Sequence, residues 1–273
     1  FLSRIIRMTR EIGAFPSAQV LLSSHSPAIL SRIEPEEVRY LRLDRKTRSS
    51  SIRALTLPEE PEEASRYVRL AIKAYPELYF ARFVILGEGD SERFIIPQLA
   101  EKMGISLDPS FVPVVPLGGR FVNHFWCLLN ELGIPHATLL DLGRKHGGPK
   151  IIQNCFQNLE KIHNKFWEDT QYQRGEVTPD TAYQLSHLDL LDERSTAWIE
   201  AFQENGIFFS YPIDLDFAML RAFPDAYHIL KYNERGPQGG DASIQKKKER
   251  TLKEEGYPDL YDTSYDAVFQ WYP

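Results

Sequence analysis

Two short apolar segments of this chain stop at a carboxylate beside glycine. Residues 83–86 lead into Glu88 between two glycines, and residues 136–140 lead into Asp141. Such runs, rich in branched residues, are typical of buried parallel strands, whose carboxyl ends form the ligand-binding edge of an open α/β sheet. Carboxylates gathered there repel one another unless a cation joins them, and ligation by oxygen alone suits Mg²⁺ or Mn²⁺. The sequence therefore predicts a metal site at a sheet edge.

The composition is that of a soluble globular protein. Of 273 residues, 42% are hydrophobic and 26% charged, which allows one large domain or one domain with part of a second. No apolar run approaches the length of a membrane span, so no membrane partner is expected. Cys127 and Cys155 lack metal-ligand spacing and are interpreted as reduced core thiols of a cytoplasmic protein. Since the sequence starts at Phe1, we interpret it as part of a longer protein.

The distribution of charge matters more than its sum. The net charge of −6 argues weakly against a nucleic-acid partner. Basic residues nevertheless cluster between 39 and 53 and between 246 and 250, where a solvated hairpin and a solvated helix end are the plainer interpretations. Carboxylates that hold metal ions also make the formal net charge more negative than the charge of the metal-bound protein, because the bound cations cancel them.

The alternation of strand and helix patterns predicts an α/β fold. Apolar strands separated by amphipathic helices indicate a mostly parallel sheet with helices on both faces. Upstream of it, Ser26 and Pro27 have the positions of an N-cap and a first helical residue. The predicted strands cover residues 18–22, 37–43, 51–55, 82–87, 111–116, 136–141 and 207–211, and the predicted helices cover residues 1–14, 64–74, 91–103, 121–132, 150–168 and 193–204.

The first acidic segment offers two candidate ligands and one helix cap. Glu88 directly follows its strand, and capping does not account for an acid at that position. Glu92 falls in the first turn of the next helix, where it either caps or, with Gly89 allowing a tight turn, faces the same opening as Glu88. Asp90 has the position of an N-cap and receives no further role.

Acids after two further strands complete the predicted cluster. Asp141 is either a turn residue before Gly143 or a ligand, and its likeness to Glu88 favours the ligand. Asp214 and Asp216 would lie on one side of an extended segment, whereas at a helix start one of them would be a cap. We favour ligation for the pair. Five such acids are able to hold two divalent ions that activate water for in-line attack on a phosphodiester.

Basic residues near the same strand ends are candidates for phosphate contacts. Arg120 follows one predicted strand, and Arg144 and Lys145 follow another, although a plain loop is the alternative for each. His25 lies between a predicted strand and a helix start, where a side chain is able to reach a phosphate. The glycine-rich phosphate loop of nucleotide hydrolases is absent from the sequence, so this chain alone is not expected to hydrolyse nucleotide.

These motifs, taken in order, resemble those of a known family. Residues 19–30 resemble the closing strand and switch-histidine loop of an ABC-type ATPase. Residues 83–92 resemble the first motif of a TOPRIM (topoisomerase-primase) domain, with Glu88 as its glutamate, and residues 139–143 resemble the second. An ATPase joined directly to a TOPRIM domain is the layout of the OLD (overcoming lysogenization defect) family of nucleases. In the second motif Gly143 replaces the usual second aspartate, which Asp214 or Asp216 would have to supply.

The resemblance implies a Mg²⁺- or Mn²⁺-dependent endonuclease that cleaves DNA with two metal ions held by Glu88, Glu92, Asp141 and the Asp214/Asp216 pair. It implies a catalytic lysine, for which the run Lys246–Lys248, with Lys247 at its centre, is the candidate, and a homo-oligomeric full-length protein in which ATP binds and His25 senses it. The alternatives are a topoisomerase or primase, or a non-catalytic DNA-binding or assembly module of an ATPase. The expected domains are an ATPase end (1–57), a helical linker (58–81), a TOPRIM domain (82–231) with a helical insertion at about 150–205, and a tail (232–273).

Overall fold

The computed structural model has a mixed α/β fold in which, among the described residues, a parallel four-stranded sheet is flanked by helices. It forms two units, Phe1–Leu86 with Ile95–His136 (the first unit) and Gly87–Phe94 with Ala137–Pro273 (the second unit). The predicted fold class is thus confirmed. The structure describes residues 2–15, 19–44, 46–55, 57, 62–118, 122–141, 155, 193–210, 214–227, 240–255 and 268–269.

The regular elements follow in chain order. The helices are α1 (Leu2–Gly13), α2 (Pro27–Leu30), α3 (Glu62–Ala74), α4 (Asp90–Lys102), α5 (Val122–Leu132), α6 (Glu193–Glu204), α7 (Leu215–Ala222), α8 (Pro224–Tyr227) and α9 (Asp241–Glu255). The strands are β1 (Arg39–Leu43), β2 (Ser50–Ala54), β3 (Val84–Gly87), β4 (Val114–Pro116), β5 (His136–Asp141) and β6 (Ile207–Ser210). Short 3₁₀ helices cover Pro35–Glu37 and Pro76–Phe80.

The larger sheet has the strand order β4-β3-β5-β6. In the second unit, β5 and β6 run parallel, with Thr138 opposite Ile207 and Asp141 opposite Ser210. Because the carboxyl ends of parallel strands lie at one edge, this register brings the last residues of β5 and β6 together. Both end residues are polar, although the strands before them are mostly apolar.

In the first unit, β1 and β2 form the expected antiparallel hairpin. Asp44 closes its turn: Oδ1 accepts the N–H groups of Lys46 and Thr47 at 2.7 and 3.1 Å, and these bonds hold the pKa of Asp44 below its usual value. Arg53 of β2 donates to the Glu131 carbonyl near the end of α5 at 2.6 Å. At least one residue of the basic stretch 39–53 therefore has a structural role.

The core of the second unit is rich in aromatic side chains. Trp198 and Phe202 of α6 are fully buried, and the Phe202 ring lies 5.6 Å from Trp198 and 5.9 Å from Phe209 of β6. Phe217 of α7 packs against Phe269 with ring centroids 5.3 Å apart. This packing fixes α6 against the last strand, and it anchors α7, whose first turn lies at the polar strand ends.

Most element boundaries agree with the predictions, and one differs for a backbone reason. The strand predicted from residue 111 begins only at Val114, because Phe111 has a left-handed φ of 55° that an extended strand does not admit. Ser26 is the N-cap of α2 and Pro27 its first residue, as expected. Helix α9 covers the lysine run in the predicted tail. The predicted helix 150–168 and the strand end at residue 211 lie outside the described residues, Cys155 excepted.

Two predictions are wrong. Residues 19–22 form no strand, and the side chain of Leu21 is 88% exposed; a strand needs a neighbour to pair its backbone, and no segment of the described chain pairs with this one. Cys155 is buried as expected, but Cys127 is exposed. Phe125, Leu128 and Leu132 give α5 its buried face, and Cys127 falls between them on another. No described helix is both long and apolar enough to cross a membrane.

Candidate active site

Glu88 and Asp141 meet in the second unit. Glu88 comes directly after β3, and Asp141 is the last residue of β5. The backbone N–H of Asp141 donates to Glu88 Oε2 at 2.8 Å. Within the described residues Glu88 Oε1 accepts no hydrogen bond. The two acids that follow separate strands therefore lie side by side, with carboxylate oxygen still available.

Glu92 belongs to the first turn of α4, but its carboxylate turns back toward the end of β3. Oε2 accepts the N–H of Gly89 at 2.7 Å, and the residue is only 2% exposed. Gly87 makes this possible, since a Cβ at residue 87 would stand 2.4 Å from Glu92 Cβ and 2.8 Å from its Cγ. The Glu92 carboxylate thus both accepts a backbone N–H at the start of α4 and lies near Glu88.

Asp141 is oriented by the last residue of β6 and by the first residue of α7. The Ser210 hydroxyl donates to Asp141 Oδ1 at 2.7 Å, and the N–H of Leu215 donates to the same oxygen at 3.3 Å. A carboxylate held through one oxygen presents the other in a fixed direction. Asp141 Oδ2 has no hydrogen-bond partner among the described residues.

The segment with Asp214 and Asp216 starts a helix and does not stay extended. Asp214 is the N-cap of α7, and its Oδ1 accepts the N–H of Phe217 at 2.7 Å. Asp216 lies in the first turn, where Oδ2 accepts the hydroxyl of Ser91 at 3.0 Å. Of the two alternatives, capping therefore describes Asp214, whereas Asp216 reaches the first turn of α4 beside Glu92.

Burial is the largest cause of raised pKa values in this cluster. Desolvation raises the pKa of Glu88, of Glu92 and of Asp141. Repulsion adds to it: Asp141 acts on Glu88, both act on Glu92, and Asp214 and Asp216 act on Asp141. The hydrogen bonds that each carboxylate accepts oppose the shift without cancelling it. The cluster therefore holds more negative charge than its surroundings favour.

The donor set fits a hard divalent cation. Every candidate ligand is a carboxylate oxygen, which Mg²⁺ and Mn²⁺ prefer, and a cation would relieve the repulsion that raises the pKa values. As the side chains lie, however, no three carboxylate, imidazole or thiol groups of the described residues are close enough to hold an ion.

Several predicted site residues lie outside the described residues or belong to the first unit. Arg120, Arg144 and Lys145 lie outside them, as does the side chain of Lys247. His25 is described and exposed, just before α2 in the first unit.

The roles of two serines of the second unit were not predicted from the sequence. Ser91 and Ser210 bind carboxylates of the cluster through their hydroxyls. One feature of the sequence could have indicated Ser210: it is a polar residue at the end of an otherwise apolar strand. Asp141 ends its own strand at the matching position. Lys248, next to the predicted Lys247, is only 2% exposed. The burial of Lys248 within a run of charged residues is visible only in the structure.

Comparison with known proteins supports the interpretation of the strand-end motifs. Residues 79–142 match the family model described as overcoming lysogenization defect protein-like, TOPRIM domain. Over 161 residues the chain is 30% identical to Endonuclease GajA of Bacillus cereus (strain VD045), a match that covers 54% of this chain and 27% of that protein. The chain thus spans about a quarter of the length of this relative.

Solved structures of OLD proteins are also similar. The C-terminal region of the Xanthomonas campestris pv. campestris OLD protein matches 71% of this chain and 83% of its own, with a TM-score of 0.40 and 22% identity. That of the Burkholderia pseudomallei OLD protein matches 70% and 87%, with a TM-score of 0.37 and 20% identity. The family model spans Glu88, Glu92 and Asp141. The matched segment, residues 79–142, is thus an OLD-like TOPRIM domain.

Proposed function

We propose that the chain carries the catalytic site of a metal-dependent DNA endonuclease. The observation that carries the proposal is the contact between Glu88 Oε2 and the Asp141 N–H, which brings two strand-end acids of a TOPRIM domain together with an oxygen of each unpaired in the described residues. The similarity to an endonuclease supports cleavage as the reaction, and DNA is the substrate that we propose with it.

The carboxylates would share two ions, either Mg²⁺ or Mn²⁺. Glu88 and Asp141 would hold one, and Glu92 and Asp216, which lie in the first turns of α4 and α7, would hold the other. When bound, such ions lower the pKa of a water and neutralise charge on the scissile phosphate. Asp214 contributes mainly by capping α7, although its charge acts on Asp141.

Basic side chains would complete the site. Arg120, Arg144 and Lys145 follow strands in the sequence and would contact DNA phosphates, which accept hydrogen bonds from Arg and Lys. Lys247 remains the candidate for a lysine that stabilises charge at the leaving oxygen, and its buried neighbour Lys248 is the second candidate. ATP binding near His25, a homo-oligomer and a cytoplasmic location are proposed for the full-length protein.

Nicking of supercoiled plasmid tests this function. We expect the chain to nick or linearise plasmid with Mn²⁺ or Mg²⁺ and without ATP, and EDTA to stop it. Glu88→Gln and Asp141→Asn should each lower the rate at least about 100-fold, because each removes a ligand charge needed in the transition state. Asp90→Asn is the matched control, since Asp90 is an exposed acid of the same segment.

The outcomes separate the proposal from its rival. Equal nicking by wild type and by the Glu88 and Asp141 variants would refute the assignment. DNA binding without any metal-dependent cleavage would favour the non-catalytic module.

A further inference from the structure

We infer that Ser210 is a positioning residue that orients Asp141 for metal binding. The inference rests on the proposed function, and it assigns a role to a residue outside the matched TOPRIM segment 79–142. Its basis is the buried hydrogen bond between the last residues of β5 and β6.

The sheet register places Ser210 beside Asp141. The two residues are Cα partners in the parallel β5–β6 pair, so their side chains leave the same face of the sheet. Ser210 is 6% exposed, and its Oγ lies 2.7 Å from Asp141 Oδ1 and 3.4 Å from the Leu140 carbonyl oxygen. A hydroxyl has one proton, and the shorter contact to a charged acceptor is the stronger one. The hydroxyl therefore donates to Asp141.

This bond determines which oxygen of Asp141 is available. Oδ1 accepts both the Ser210 hydroxyl and the Leu215 N–H, so the carboxylate plane is fixed from two directions. Without the hydroxyl, the Leu215 N–H at 3.3 Å would be the remaining donor, and the carboxylate would rotate away from the repelling Asp214 and Asp216. A ligand that rotates must be ordered again when it binds an ion, which weakens binding.

Direct Mn²⁺ binding tests the inference without relying on cleavage. Isothermal titration of metal-free protein should show that Ser210→Ala raises the Mn²⁺ dissociation constant about 10-fold or more, within the range known for residues that orient metal ligands. Ser210→Thr keeps the hydroxyl and suits a strand, so it should restore binding to within about 3-fold of wild type. In the Asp141→Asn background, Ser210→Ala should change the dissociation constant little, because its partner is altered.

Each outcome of the Mn²⁺ titrations either supports or overturns the role of Ser210. Wild-type Mn²⁺ affinity in Ser210→Ala would overturn the inference and leave the proposed function intact. The same holds if Ser210→Ala weakens binding equally with and without Asp141→Asn, or if Ser210→Thr is folded and fails to rescue. If the wild-type chain binds no Mn²⁺, or if Asp141→Asn does not weaken binding, the proposed site itself fails and this inference falls with it. Thermal unfolding of the metal-free variants separates a folding defect from a ligand defect.

Discussion

At the scale of single residues, the cluster depends on small groups as much as on its acids. The sequence pointed to Glu88 because capping does not account for an acid directly after a strand, and to Asp141 because of its likeness to Glu88. It could not identify Ser210, since a serine at a strand end is common and its partner lies 69 residues away. The role of Gly87 was likewise not predictable from the sequence, because only the structure shows that Glu92 occupies the space where a side chain at residue 87 would lie.

Gly87→Ala should damage both folding and the site. The added Cβ would overlap Glu92 Cβ at 2.4 Å, so the Glu92 side chain must leave its buried position. We expect a loss of about 1–3 kcal/mol in the free energy of unfolding, as for overpacked sites, together with weaker Mn²⁺ binding. Gly240→Ala is the control, since a Cβ at residue 240 meets nothing within 4 Å. Equal stability of the two variants in urea would contradict the account.

The raised pKa values of Glu88, Glu92 and Asp141 predict how stability changes with pH in metal-free protein. A carboxyl whose pKa is higher in the folded state binds its proton more tightly there, so its contribution to stability is present at low pH and lost as pH rises through the folded pKa. The metal-free chain should therefore lose stability as the pH rises above the ordinary carboxyl pKa of about 4 and through the raised folded-state values, more so than with Mn²⁺.

The Glu88→Gln variant tests whether ionisation of Glu88 lowers the stability of the metal-free protein. The amide replaces a carboxylate whose ionised form is disfavoured by burial, so the metal-free variant should be more stable than wild type at neutral pH and yet inactive. Denaturant titrations at several pH values measure this. A metal-free Glu88→Gln protein that is less stable than wild type at neutral pH would show that the charge is well accommodated.

At the scale of elements, the sequence was informative where local pattern decides structure and failed where pairing decides it. Strand β5 and helix α6 have the predicted bounds, because apolar periodicity and end signals specify them. Residues 19–22 have the same apolar pattern but no pairing neighbour in the described chain. Helix α7 shows the opposite case: the sequence permitted a strand or a helix after β6, and the Asp214 cap selects the helix.

The two acids of α7 should respond differently to the same substitution. Asparagine caps about as well as aspartate, so Asp214→Asn should leave the unfolding free energy within about 0.5 kcal/mol of wild type, whereas Asp214→Ala should cost about 1 kcal/mol. Asp216→Asn should instead raise the Mn²⁺ concentration needed for cleavage and be partly rescued by more metal. An Asp216→Asn metal titration identical to that of wild type would remove Asp216 from the site. Asp225→Asn is the control, an exposed acid of the neighbouring α8.

At the scale of the whole molecule, a common parallel-sheet arrangement gathers residues from distant parts of the chain. Glu88, Asp141 and Asp216 are far apart in sequence, yet all belong to the second unit. The alternation of strands and helices predicted the α/β class, whereas the order β4-β3-β5-β6 and the register of Asp141 with Ser210 come from the structure alone. Register depends on which strands become neighbours, and a strand's own residues do not encode its neighbour.

The central claim is that the strand-end carboxylates hold divalent ions, and an anomalous diffraction map from crystals soaked in Mn²⁺ tests it most directly. The account predicts a peak bound by oxygens of both Glu88 and Asp141, with a second near Glu92 and Asp216, at distances of about 2.0–2.3 Å. It also predicts that the first peak disappears in Asp141→Asn crystals. The account would be contradicted if Mn²⁺ bound only at other places. It would also be contradicted if Glu88 and Asp141 kept their positions and held no ion at saturating Mn²⁺.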